Sequence, residues 1–143
     1  MDKRKFILTA KNVINLEIKA LQKLKKNINS SFSEAVSLIA KCQSKVILCG
    51  VGKSGIVASK IAATLASVGT PSFYLSASEA SHGDLGMISK KDILILISNS
   101  GETNELRNII QYAKRNKILL IGIVSKKDSV LYKSSDIKIV TPK

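Results

Sequence analysis

The sequence predicts an α/β fold, a parallel sheet layered between helices. Three observations lead to it. Five short apolar runs, at 46–49, 72–75, 93–97, 119–124 and 137–140, have strand length. Helical segments, at about 54–68, 103–115 and 127–134, alternate with them. The central runs are continuously apolar, as suits strands covered on both faces.

Each feature then finds its place. Strand–helix–strand alternation calls for right-handed crossovers and parallel pairing. The expected architecture is a flavodoxin-like three-layer sandwich with a five-stranded parallel sheet in the order 2-1-3-4-5. Ahead of it, residues 3 to 28 read as a long amphipathic helix. Ile7, Ala10, Ile14, Leu21, Leu24 and Ile28 recur at heptad-like spacing, and Val13, Leu16 and Ala20 widen the stripe. A face this broad is expected to pack on its own domain and also touch a partner chain, giving a homo-oligomer. A second helix is expected over roughly 31–43, opened by a capping box of Ser31 and Glu34. The domain division is thus 1–43 for the N-terminal helices and 44–143 for the α/β core.

Composition bounds the function. The 143 residues suffice for one domain, and 45% hydrophobic content permits a packed core. No apolar run is long enough to span a membrane, and the start lacks a signal-peptide pattern, so the expected location is the cytoplasm. The formal charge of +13 invites a nucleic-acid reading. Against it, 20 of the 23 basic residues are Lys, they are dispersed, and no aromatic sits within a basic cluster to stack a base. Cys42 and Cys49 read as reduced thiols in or near the core. With one histidine and no Cys-x-x-Cys, neither a metal site nor a metal cofactor is expected.

Two loops carry the chemistry. Gly50-Val51-Gly52-Lys53-Ser54-Gly55 follows the first strand and opens a helix. Gly50, Gly52 and Gly55 let backbone N–H groups approach an anion at the helix start. A Walker A loop needs a glycine where Ile47 stands. A dinucleotide fingerprint needs an acidic residue near the end of the second strand, which reads Phe73-Tyr74-Leu75-Ser76. A plain tight turn leaves Lys53 and Ser54 unexplained. The second loop, Ser98-Asn99-Ser100-Gly101-Glu102-Thr103, follows the third strand and opens another helix. Its hydroxyls and amide can hydrogen-bond a phosphate in the field of the helix end. N-capping by Ser100 or Thr103 accounts for one hydroxyl and leaves the rest unused. In the order 2-1-3-4-5 the two loops meet at the topological switch point, where ligands of open α/β sheets bind. Between them, His82 lies in the polar segment Ser78-Glu79-Ala80-Ser81-His82-Gly83-Asp84-Leu85-Gly86. Core packing suits it poorly there, and it is a candidate to shuttle protons or bind a sugar hydroxyl.

At these residues the sequence resembles sugar isomerase (SIS) domains, and most of all the D-arabinose 5-phosphate isomerases of bacterial lipopolysaccharide synthesis. The segments that carry the resemblance are the glycine loop, Gly69-Thr70-Pro71-Ser72-Phe73, Glu79 through Met87, and Ile97-Ser98-Asn99-Ser100-Gly101-Glu102. The resemblance implies that Ser54, Ser98, Ser100 and Thr103 hold the phosphate, with Asn99 in the same loop. It implies that Lys53, Glu105 and His82 serve the sugar end, in an isomerisation that uses no organic cofactor. It also implies further chain after the fifth strand, carrying another catalytic glutamate and histidine and, in many members, a pair of CBS domains. This sequence stops at Thr141-Pro142-Lys143. The expectation is a C-terminally truncated relative that binds the sugar phosphate but turns it over poorly, or one that a separate downstream chain completes. The alternative is a non-catalytic sugar-phosphate-binding regulatory or interaction module.

Overall fold

The computed structural model describes residues 3–142. Two helices, α1 (Lys3–Asn27) and α2 (Ser30–Ala40), precede a core of β1 (Val46–Gly50), α3 (Lys53–Ser67), β2 (Ser72–Tyr74), α4 (Ala77–Ala80), β3 (Ile93–Ile97), α5 (Arg107–Asn116), β4 (Leu119–Val124), α6 (Val130–Ser134) and β5 (Ile137–Val140). Short 3-10 helices cover Asp84–Met87 and Asn104–Leu106. All strand pairs are parallel, in the order β2-β1-β3-β4-β5.

The continuous apolar runs are explained by two cores, one on each face. Side chains alternate across a strand. Ile47, Cys49, Leu94, Leu96 and Leu120 therefore point to one side, where Ile109, Ile110 and Ala113 of α5 and Leu131 of α6 cover them. Val46, Leu48, Ile93, Ile95 and Ile121 point to the other, beneath Ala35 of α2 and Ala58 and Ala62 of α3. Cys49 is buried, Cys42 is half-buried, and both are free thiols. Burial pushes the Cys49 thiol up to about 12.

Four expectations need correction. First, α2 is capped by Asn29, in extended conformation, whose side chain accepts the Ser31 N–H at 3.0 Å. The cap lies two residues earlier than the Ser31 capping box supposed, and Asn is as good a cap as Ser. Second, the segment expected as one helix over 103–115 is a 3-10 turn followed by α5. Leu106, 1% exposed, is drawn into the core at the junction. Third, the helix expected over 127–134 begins only at Val130, where Ser129 caps it by accepting the Tyr132 N–H. Fourth, α1 packs little on its own domain: none of its residues is buried, and Leu24 is half-buried. The Asn27 amide donates to the Val140 carbonyl at its foot. The apolar stripe of α1 is open, with Ile7 at 60% and Leu21 at 63% exposure.

Candidate functional site

The first loop is shaped by close packing. Gly52 has φ +58, a backbone conformation that side chains disfavour, and it caps α3 with no side-chain hydrogen bond. The Ile56 N–H closes the first turn onto the Gly52 carbonyl, so the N–H groups of Lys53, Ser54 and Gly55 precede the intrahelical ladder. A Cβ at Gly55 would press on the Gly50 carbonyl and the Tyr74 hydroxyl. That hydroxyl donates to the Gly50 carbonyl at 3.0 Å and ties the end of β2 to the loop. Burial raises the Tyr74 phenol, Cys49 adding to the shift, which keeps it a donor. Lys53 is exposed and Ser54 half-buried. Neither side chain has a hydrogen-bond or ion-pair partner among the described residues.

The second loop is braced by β4 and α6. Ser98 is 4% exposed. Its hydroxyl accepts the Gly101 N–H at 3.0 Å and shares a proton with the Thr103 hydroxyl at 2.8 Å. Ser100 Oγ accepts the Glu102 N–H at 3.2 Å. Neither Ser100 nor Thr103 spends its hydroxyl on capping the 3-10 turn. The Asn99 carbonyl accepts both the N–H and the hydroxyl of Ser125. Gly101, at φ +68, lies so close to Ser129 that a Cβ there would overlap the Ser129 hydroxyl. The Gly101 carbonyl accepts the Leu131 N–H, and Glu102 Oε1 accepts the Val130 N–H at 2.8 Å. The charge of Glu102 is therefore directed at the start of α6 rather than into the loop.

β1 and β3 are neighbours, so the two loops stand side by side at the carboxyl edge. A cleft of about 210 Å³ beside them is lined by Gly50, Val51, Gly52, Tyr74, Ser76, Ala77, Ser78 and Glu105. Among the predicted site residues this brings Glu105, from the 3-10 turn, up to the glycine loop. Lys53 and His82 are exposed and do not line this cleft. His82 sits in the turn after α4, its N–H on the Glu79 carbonyl at 2.8 Å. Among the described residues no cluster of three His, Cys, Asp or Glu side chains is placed to hold a metal ion.

Sequence reasoning missed Tyr74, Ser76, Ser78, Ser125 and the turned-away role of Glu102. A signal for two of these serines existed: Ser76 and Ser125, like the expected Ser98, fall within two residues of the carboxyl end of a strand.

The sequence profile of the SIS domain matches residues 38–143. The chain belongs to the SIS-domain family. Over 132 residues this SIS domain is 48% identical to an arabinose 5-phosphate isomerase of Yersinia pestis, with 92% of the chain and 40% of that protein covered. It is 42% identical to the arabinose 5-phosphate isomerase of Pseudomonas aeruginosa, with 94% of the chain and 41% of that protein covered. It thus spans about two-fifths of the length of these relatives. Among solved structures, an Escherichia coli CFT073 protein in complex with arabinose 5-phosphate is 42% identical, with a TM-score of 0.92, and the match covers 99% of this chain and 76% of that one.

Proposed function

We propose that this SIS domain binds an open-chain sugar phosphate and that the whole protein interconverts D-arabinose 5-phosphate and D-ribulose 5-phosphate. The observation that carries this reading is the near-complete match, at 42% identity, to a protein in complex with arabinose 5-phosphate. The two loops at the switch point supply the chemistry it requires. Ser54, Ser98, Asn99, Ser100 and Thr103, with the N–H groups opening α3, hold the phosphate. The sugar extends from there toward Glu105. A base takes the proton from C2 of the aldose, a cis-enediol forms, and the proton returns to C1. Glu105 suits the acid–base role, and Lys53 can stabilise the charge that develops on the carbonyl oxygen. His82 serves the same sugar end.

We further propose a homo-oligomer built on the exposed stripe of α1, where Phe6, Ile7, Ile14 and Leu21 are each more than half exposed. A contiguous open apolar stripe is typical of an interaction site. Light scattering at tens of micromolar is expected to show an assembly, and a stable monomer would contradict it. Among the described residues no helix is long and apolar enough to cross a membrane. That is compatible with the cytoplasmic place proposed here.

Calorimetric titration with D-arabinose 5-phosphate, beside an assay of its conversion, tests the reading. Saturable binding together with conversion supports it in full. Binding without conversion restricts this chain to a binding module. Absence of binding overturns it.

A further inference from the structure

The cleft beside the glycine loop holds two hydroxyls for which the fold has no use. Ser76 occupies the N-cap position of α4, where a serine ordinarily accepts a backbone N–H. Here it makes no capping bond. Its hydroxyl instead meets the Ser78 hydroxyl at 2.8 Å. Neither side chain has another partner among the described residues, and both line the cleft with Glu105 and the glycine loop. A hydroxyl pair sharing one hydrogen bond keeps a free donor and free acceptor lone pairs. Such a pair suits a ligand that presents hydroxyls of its own. Glu105, acceptor-only when ionised, faces the same space. Tyr74 closes the wall and is already engaged with the Gly50 carbonyl.

We infer that Ser76 and Ser78 form a subsite that reads the carbon-bound hydroxyls of the sugar, separate from the loops that hold its phosphate. The inference rests on the sugar-phosphate reading above and deepens it. β2 and β3 flank β1 on opposite sides, so the end of β2 contributes the Ser76–Ser78 pair and the end of β3 the phosphate loop. The glycine loop lies between them. A ligand with phosphate at one end and hydroxyls along its chain spans that arrangement. Phosphate contacts anchor it, and the serine pair discriminates among chains of equal charge. A site built to hydrogen-bond a substrate hydroxyl rejects analogues that lack it, because its own polar groups are left unpaired.

The test is calorimetric titration of the wild-type chain, the Ser76→Ala/Ser78→Ala double variant and Ser76→Thr, each with D-arabinose 5-phosphate and with inorganic phosphate. The expected result is a loss of about tenfold in sugar-phosphate affinity for the double variant. Its affinity for inorganic phosphate is expected to stay within twofold of wild type. Ser76→Thr, which keeps the hydroxyl, is expected to retain most of the sugar-phosphate affinity. Equal sugar-phosphate affinity in the wild type and a folded double variant overturns the subsite and leaves the parent reading intact. A parallel loss for both ligands overturns it as well, since that marks damage to the phosphate loops. A wild-type chain that binds neither ligand overturns the parent reading and the subsite together.

Discussion

The two ends of the sheet use polar residues in opposite ways. At the amino end, Asp92 precedes β3 and is 2% exposed. It accepts from the Ser44 hydroxyl at 2.6 Å and the Ser89 N–H at 2.7 Å, and pairs with Lys45 at 2.9 Å. Asp136, before β5, likewise accepts the Leu120 N–H at 2.8 Å. These carboxylates are placed to close the strand starts on themselves. At the carboxyl end, among the described residues, the Ser54 hydroxyl has no partner, those of Ser76 and Ser78 bond only to one another, and the N–H groups opening α3 precede the intrahelical ladder. Buried polar groups are normally paired, as those at the amino end are, and the unspent capacity at the open carboxyl edge is where the proposed ligand would bind. A loop polar for stability satisfies itself, whereas one polar for binding keeps donors spare.

Substitutions at each end put that contrast to the test. The largest effect is expected at the amino end. Asp92→Ala strands the Ser44 and Ser89 donors and the Lys45 charge. Lys45, 33% exposed, partly rehydrates, so the cost is about 2–3 kcal/mol rather than that of a fully buried pair. Urea unfolding should show this loss, and sugar-phosphate affinity in the folded fraction should be unchanged. An affinity loss there would join the two ends that the structure separates.

Next comes Gly101→Ala. A side chain at positive φ that also meets Ser129 should cost about 2 kcal/mol of stability. Because the carbonyl of Gly101 links the loop to α6, sugar-phosphate binding should weaken at the same time. Titration and unfolding of one protein sample read both, and loss of stability without loss of affinity would detach the brace from the site.

At the carboxyl end, Ser98→Ala/Ser100→Ala is expected to weaken sugar-phosphate binding at least tenfold, about 1.4 kcal/mol. Calorimetry on a folded double variant is decisive. Unchanged affinity would show that the hydroxyls of this loop serve only its own turn.

The smallest expected effect is acid-dependent. Burial alone would raise the Asp92 carboxyl, but hydrogen bonds from Ser44, Ser89 and Lys45 outweigh it and hold the group below its usual value. Its stabilising contribution is complete above the unfolded-state value of about 3.9. It fades as the pH falls through the lower folded value. Thermal midpoints of the wild type should drop more steeply in that acid window than those of Asp92→Asn, which has no carboxyl to protonate. Parallel curves would mean that Asp92 is not the acid-sensitive group.

Much of this was legible because it is local. Five apolar runs of strand length, the glycines at 50, 52 and 55, and the serine-rich 98–103 segment are patterns within a few residues. Chain connectivity and crossover handedness then leave few sheet orders. What escaped was every choice of hydrogen-bond partner across the chain. Asn29 and Ser31 compete for one cap, and only the path into α2 selects Asn29. Glu102 resembles a candidate ligand contact until the Val130 N–H, 28 residues away, claims it. Tyr74 reads as a strand residue until its hydroxyl is seen on Gly50.

The layered α/β sheet, and two glycine- and serine-bearing loops at its switch point, follow from local sequence, since hydrophobic period and glycine placement act over one or two turns of chain. Which partner each hydroxyl meets was a matter of long-range packing. Ser98 accepts from Gly101 and bonds Thr103, Ser129 caps α6, and Ser76 and Ser78 line the cleft beside Glu105. A hydroxyl can donate in one direction and accept in two, and only the finished packing fixes which partners stand within reach.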